Sequence, residues 1–266
     1  MSVVFSIDKK RVRQSFASAA DTYDGLATLQ RQVGLDLLSM FDINFTDDIV
    51  MDIGCGTGFF TQKLMLASSV QQMIAVDIAC SMLEVTRRKL KDLETVHYIC
   101  ADAECIPLQK QAVDKIVSNL ALQWCQNLTQ VFEGFNHGLK PEGQLVFSTF
   151  GPATLQELKQ AWSEVDDYTH VNEFYTVDEL TIFLQQAGFE NIEIESKCYQ
   201  SNYQAVIELM RELKGIGAKN MLAGRNKKTT SKTQMENMIK AYEKYRINKL
   251  IPATYEIIFV SANVSR

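Results

Sequence analysis

The sequence has little histidine and no clustered cysteine, and those absences exclude much. There are three histidines, His97, His137 and His170, and six cysteines with no CxxC pair. No Cys/His set has the spacing of a zinc site, so no metal is expected. Several of the cysteines (Cys55, Cys80, Cys100, Cys105, Cys125 and Cys198) lie in strand-like apolar runs, where cysteine behaves as a small hydrophobe. All six are read as reduced thiols of a cytoplasmic protein. No apolar run approaches the roughly 20 residues needed to span a bilayer. The N-terminal apolar stretch is too short for a signal peptide. Gly-Lys-Ser/Thr, the end of a nucleotide P-loop, is missing. The net charge of −5 makes the molecule as a whole no obvious nucleic-acid binder.

What is present is a regular alternation. Apolar residues recur at helical spacing through 8–40, at Val12, Phe16 and Ala20 and again at Leu26, Leu29, Val33 and Leu37. Strands follow over 50–53, 73–77, 96–101, 113–118 and 145–150, with helices over 60–67, 81–93 and 128–139 and a turn at Pro141-Glu142-Gly143. This order predicts an α/β fold with a doubly wound parallel sheet. A helix over 177–187 ends at Gly188 as a C-cap, and two late strands are expected over 192–195 and 255–262. About 55 mostly helical residues, rich in Lys and Arg, separate those strands. The loop 225–231 is the expected mobile segment. The reading is one domain: N-terminal helices (1–44), a core (45–200), a basic helical insertion or lid (201–250) and a last strand (251–266).

The chemistry starts at Val50–Phe60, VMDIGCGTGFF. Gly54, Gly56 and Gly58 follow a strand, so they sit where open parallel sheets bind ligands. The spacing is GxGxG. A dinucleotide fingerprint needs its third glycine one position later, where Phe59 stands. An adenosine ligand with a short polar tail remains. Asp77, ending the second strand, suits two ribose hydroxyls. Asp102-Ala103, after the third, suits an adenine amino group. Asp52 suits an ammonium, and the N–H groups of the turn suit a carboxylate. Together these describe S-adenosylmethionine.

Over 45–150 the pattern resembles class I S-adenosylmethionine-dependent methyltransferases. The resemblance implies a Rossmann-like seven-stranded sheet of order 3-2-1-4-5-7-6, the last strand antiparallel. It implies cofactor contacts from Asp52, Gly54, Gly56, Gly58, Asp77, Ile78, Met82, Asp102, Ala103 and Asn119. The Asn/Asp-Pro-Pro-aromatic motif of enzymes that methylate nucleic-acid amines is missing from SNLALQWCQN (118–127). SFASAADTYDGLATLQR (15–31), SNLALQWC (118–125), AWSEVDDYTHVNEF (161–174), LMRELKGIGAKN (209–220) and PATYEIIF (252–259) resemble the malonyl-acyl-carrier-protein O-methyltransferase family of biotin synthesis. That family esterifies the free carboxylate of a malonyl thioester, and the methyl ester lets fatty-acid synthesis elongate the chain towards pimelate. No GxSxG motif occurs, so the later esterase is expected to be a separate protein. Ala79 and Glu142 stand where many relatives have Ser and Gly.

Methyl transfer to a carboxylate is a direct displacement by a group already ionised at pH 7, with a reference pKa of roughly 4. No general base is required. Alignment and water exclusion are what matter, and alignment can remove roughly 7–11 kcal/mol of barrier. Tyr23 and His170 are the candidate catalytic positioners. Trp124, Asn172, Arg211 and Lys214 are candidate substrate contacts, the last two sharing a helix face and suited to a carboxylate. Residues 211–250 hold eleven Lys/Arg against three Asp/Glu. A basic segment on an acidic chain suggests a local anionic partner. Acyl carrier protein, acidic and bearing its substrate on phosphopantetheine, fits, with Lys227, Lys228 and Lys232 as candidate contacts. The alternatives are a methyltransferase of a small free acid or quinone-like ring, and a non-catalytic cofactor-binding or RNA-interacting protein. No nucleic acid or membrane partner is expected.

Overall fold

The apolar runs form the strands that the alternation predicts. The computed structural model describes residues 7–41, 45–46, 48–67, 69–218, 220–221 and 230–265. Helices α1 (Lys9–Ala19), α2 (Tyr23–Leu26) and α3 (Thr28–Met40) come first. The alternating units are β1 (Ile49–Ile53), α4 (Phe59–Ala67), β2 (Gln72–Asp77), α5 (Cys80–Lys89), β3 (Val96–Cys100), β4 (Val113–Asn119), α6 (Leu128–Gly138) and β5 (Leu139–Phe150). Then come α7 (Gln156–Ser163), α8 (Val177–Gln186), β6 (Phe189–Tyr203), α9 (Val206–Gly215), α10 (Lys232–Tyr242) and β7 (Ile251–Val264). The seven strands form one sheet of order β3-β2-β1-β4-β5-β7-β6. Only β7 runs antiparallel to its neighbours. The order reverses between β1 and β4, and this switch point places the site at their C-terminal ends.

Helices cover both faces. On one, α6 buries Phe132 and Phe135 and α8 buries Leu180 and Leu184 against Ile116, Phe147 and Ile258. On the other, Val33 and Leu37 of α3, Leu158 and Trp162 of α7 and Tyr242 of α10 pack on Val50, Ile257 and Phe259. Each such side chain contributes roughly 1.5–3 kcal/mol when fully buried. Polar caps fix the helix starts. Asp8 accepts from the Arg11 N–H, and Thr176–Glu179 and Ser231–Gln234 form capping boxes. Gly188 (φ +82°) ends α8 as expected.

The structure corrects several expectations. Strand β6 has 15 residues and β7 has 14. Both are far longer than expected, because β6 is a mostly exposed edge whose FENIEIESKCYQSNY offers little apolar alternation. Pro141-Glu142-Gly143 is absorbed into β5, where the pairing with β4 skips register, rather than forming a separate turn. Helix α7 had no counterpart in the periodicity reading. Cys80 and Cys100 are joined in a disulfide, so the reading of six reduced thiols does not hold. Cys80 opens α5 just past Asp77, and Asp77 lies opposite Cys100 in the β2–β3 register. A pairing set by strand register leaves no trace in sequence spacing. Most of the loop 225–231, with Lys227 and Lys228, lies outside the described residues. Among the described residues, no helix is long and apolar enough to cross a membrane, and no group of three or more His, Cys, Asp or Glu is arranged to hold a metal.

Candidate active site

The glycine turn is built by backbone demands. The Gly54 and Cys55 N–H groups both donate to the Val76 carbonyl (2.8 and 3.0 Å), tying the turn to β2. Gly54 has φ +72°, and a Cβ there would lie 2.2 Å from Ala121 Cβ. Only glycine combines that dihedral with that approach. Gly58 serves packing: its missing Cβ faces Thr86 of α5 at 2.6 Å, and it does not line the cleft.

Two buried carboxylates flank the turn. Asp77 Oδ2 accepts from Gly56 N–H (2.9 Å) and Oδ1 from Ala79 N–H (2.8 Å). Burial raises its pKa to about 6 against those two hydrogen bonds. Asp52 is 1% exposed; its Oδ2 accepts from Thr61 Oγ1 (2.6 Å) and its Oδ1 has no partner. Burial, with the charge of Asp77 adding, raises its pKa to about 7. Two carboxylates held short of full ionisation make a site that a cation stabilises.

A cleft runs along these strand ends. It gathers Gly54, Gly56, Asp77, Ile78, Met82, Asp102, Ala103 and Asn119 from the expected set. Asp52 faces an adjoining recess shared with Tyr23, Gly56 and Asn119. The Asn119 amide is engaged, donating to the Gln30 carbonyl and accepting from Ser148 Oγ. The cleft also holds Lys9 and Phe16, which the sequence reading missed. Lys9 Nζ reaches Asp102 Oδ1 and Glu104 Oε2, both at 2.8 Å. Asp102 Oδ1 also caps the 3-10 turn Ala103–Cys105.

Helix α1 thus closes over the cleft. The Asp8 N–H donates to the Met221 carbonyl and Ser15 Oγ to that of Gly217, so the end of α9 and the residues after it close with it. Ile7, Val12 and Met221 are buried together there beside Phe16, Ile78 and Trp124.

A second, larger cleft meets the first at Phe16, Tyr23, Leu120 and Trp124. It brings together the remaining candidates, His170, Asn172, Arg211 and Lys214. Leu158, Met210 and Leu213 give it apolar walls. His170 is held by Asp166 Oδ1 (2.7 Å) and stacks on Trp162 with ring centroids 3.7 Å apart. Asn172 Oδ1 accepts from the Met221 N–H, so this residue pins the segment over the cleft. Arg211 and Lys214 are exposed, and among the described residues neither forms an ion pair. Tyr23 sits at the junction. Burial first, then the charges of Asp77 and Asp24, push its hydroxyl well above its ordinary pKa. It therefore stays protonated at neutral pH.

The family model for a methyltransferase domain matches residues 51–147. A malonyl-acyl-carrier-protein O-methyltransferase of Nitrosospira multiformis is 37% identical over 270 residues, covering 95% of this chain and 88% of that protein. This chain belongs to the malonyl-acyl-carrier-protein O-methyltransferase family. Another relative, the biotin biosynthesis bifunctional protein BioHC of Cellvibrio japonicus, is 38% identical over 96% of this chain, which spans 50% of that protein's length. Among solved structures, the YcgJ protein of Bacillus subtilis superposes with a TM-score of 0.61 at 17% identity, over 88% of this chain and 98% of that one. Phosphoethanolamine N-methyltransferase 2 of Haemonchus contortus, solved with S-adenosylhomocysteine, gives 0.56 at 18%, over 88% and 52%. The family's fold is that of S-adenosylmethionine-dependent methyltransferases. The first cleft with its glycine cradle, together with the adjoining recess that Asp52 lines, fits that cofactor.

Proposed function

We propose that this chain methylates the free carboxylate of malonyl-acyl carrier protein, giving the methyl ester that leads to the pimeloyl moiety of biotin. The observation that carries the reading is the junction: a cofactor-type cleft opens at Tyr23 and Trp124 into a larger apolar cleft rimmed by Arg211 and Lys214. S-adenosylmethionine supplies an electrophilic methyl group on a sulfonium. Asp52, Gly54, Gly56, Asp77, Ile78, Met82, Asp102, Ala103 and the backbone of Asn119 would hold it, Asp52 by the ammonium and Asp77 by the ribose. Gly58 shapes the turn.

Tyr23 orients the acceptor by hydrogen bonding, and Trp124 walls the junction. His170, fixed by Asp166 and Trp162, keeps the far wall in place. Asn172 holds the cover down, and Arg211 and Lys214 bring positive charge to the malonyl carboxylate. The nucleophile is anionic and the methyl already activated, so no metal and no general base are needed. The basic residues of 211–250 receive the acidic carrier. A separate esterase removes the methyl group later, and the enzyme works in the cytoplasm.

The test is incubation with methyl-labelled S-adenosylmethionine and malonyl-acyl carrier protein, with malonyl-coenzyme A and acetyl-acyl carrier protein alongside. Base-labile label on the malonyl carrier and none on the acetyl form is expected. No label on any of them would overturn the reading in favour of a small free acid or a quinone-like ring.

A further inference from the structure

Three carboxylates reach the cofactor site, and they are held in different ways. Asp77 is fixed by backbone N–H groups and Asp52 by the Thr61 hydroxyl. Asp102 is held from across the fold: Lys9 Nζ of α1 lies 2.8 Å from its Oδ1. The Glu104 N–H donates to that same oxygen (3.1 Å). Among the described residues, nothing donates to Oδ2. The Asp102 side chain lines the cleft and is 25% exposed, so it is open to a ligand.

The ammonium that holds Asp102 also reaches Glu104 Oε2 at 2.8 Å. Glu104 is itself fixed, its Oε1 accepting from the Gln126 N–H (2.6 Å) and the Asn127 N–H (2.8 Å). Gln126 Nε2 returns to the Ile7 carbonyl (2.6 Å), just ahead of α1. The start of α1, the turn after β3 and the loop before α6 are thus closed into one circuit around a single cation. Burial works against the charge of Lys9, but Cys125, Asp102 and Glu104 outweigh it and leave the pKa raised, so the ammonium persists at neutral pH. Two carboxylates on one nitrogen are like charges at close range, and without the cation they repel. Glu104 is tied by two backbone N–H groups and Asp102 by one, so Asp102 is the one that turns away.

We infer that Lys9 is a positioning residue for the cofactor: it bridges Asp102 and Glu104 so that Asp102 Oδ2 is presented to the exocyclic amino group of the adenine. This deepens the proposed placement of the adenine at Asp102 and rests on it. Lys9 sits on α1, outside the strand ends that form the rest of the adenosine site, so the covering helix takes part in recognising the base. It acts through Asp102.

The test is calorimetric binding of S-adenosylhomocysteine and of its analogue with hydrogen in place of the adenine 6-amino group. Wild-type protein is expected to bind the deamino analogue about ten- to a hundredfold more weakly, the loss of one hydrogen bond to a charged acceptor. Lys9→Met keeps the apolar stem and removes the cation. It should bind S-adenosylhomocysteine about tenfold more weakly than wild type and discriminate between the two ligands by no more than about threefold. A purely structural loss would weaken both ligands alike, so a variant that keeps the wild-type ratio overturns the role of Lys9 alone. Equal binding of the two ligands by the wild type would overturn that role together with the placement of the adenine at Asp102. Should Lys9→Met fail to fold, Lys9→Gln, which removes the charge but keeps a polar head at this partly exposed site, is read by the same ratio. No acceptor substrate enters the measurement, so its outcome is independent of the malonyl reading.

Discussion

Replacing Asp52 by Asn should make the protein more stable and worse at binding its cofactor. The carboxyl is fully buried, with a pKa raised to about 7. Against the ordinary value of about 3.9, a rise of roughly three units costs about 4 kcal/mol when the group is ionised in the folded state. The folded pKa is raised, so the stabilising contribution is fully present below about pH 4 and is lost as pH rises through 7. Asn keeps an acceptor for Thr61 but puts an unpartnered amide N–H where Oδ1 was, costing on the order of 1–3 kcal/mol. The net gain at pH 8 is about 2 kcal/mol, or on the order of 5 °C in Tm for a chain of this size. At pH 5 most of that advantage should vanish, because the wild-type carboxyl is then protonated. Cofactor Kd should rise about ten- to a hundredfold, the loss of one charge-assisted hydrogen bond. Thermal unfolding at pH 5 and pH 8 and calorimetric titration with S-adenosylmethionine measure both. A variant less stable than wild type at pH 8, or one with unchanged Kd, would refute the assignment of Asp52.

Three further expectations follow from the same geometry. Gly54→Ala forces a Cβ to within 2.2 Å of Ala121 Cβ at positive φ, so cofactor binding should be undetectable by calorimetry while far-UV circular dichroism stays near native. Tyr23→Phe should lower kcat about ten- to a hundredfold and leave cofactor Kd within about twofold, if the hydroxyl orients the acceptor; parallel losses in both would assign Tyr23 to the cofactor instead. Reversing the charge of Lys227, Lys228 and Lys232 to Glu should raise KM for malonyl-acyl carrier protein by about tenfold at low salt and leave malonyl-pantetheine unaffected; an unchanged carrier KM would move the docking surface elsewhere.

What could be read from the sequence was whatever lies close together along the chain. The strand, the turn and Asp52 fall within nine residues, and Asp77 and Asp102 each end a strand, so the cofactor cleft could be assembled from strand order alone. Contacts that cross the fold left no pattern. Lys9 reaches Asp102 only because α1 folds back over β3, and the Cys80–Cys100 pairing depends on strand register. Asn119, expected to contact the cofactor, instead spends its side chain tying α3 to β5. Most of edge strand β6, beyond the expected 192–195, escaped notice because pairing on one side only demands few apolar residues.

The cover over the cofactor cleft is stitched from two ends of the chain. Asp8 and Ser15 of the first helix bond to Met221 and Gly217, more than two hundred residues later. Lifting either segment away from the other breaks both hydrogen bonds. Exchange of the Asp8 backbone amide, which is held by the Met221 carbonyl, should therefore report the opening of this cover directly.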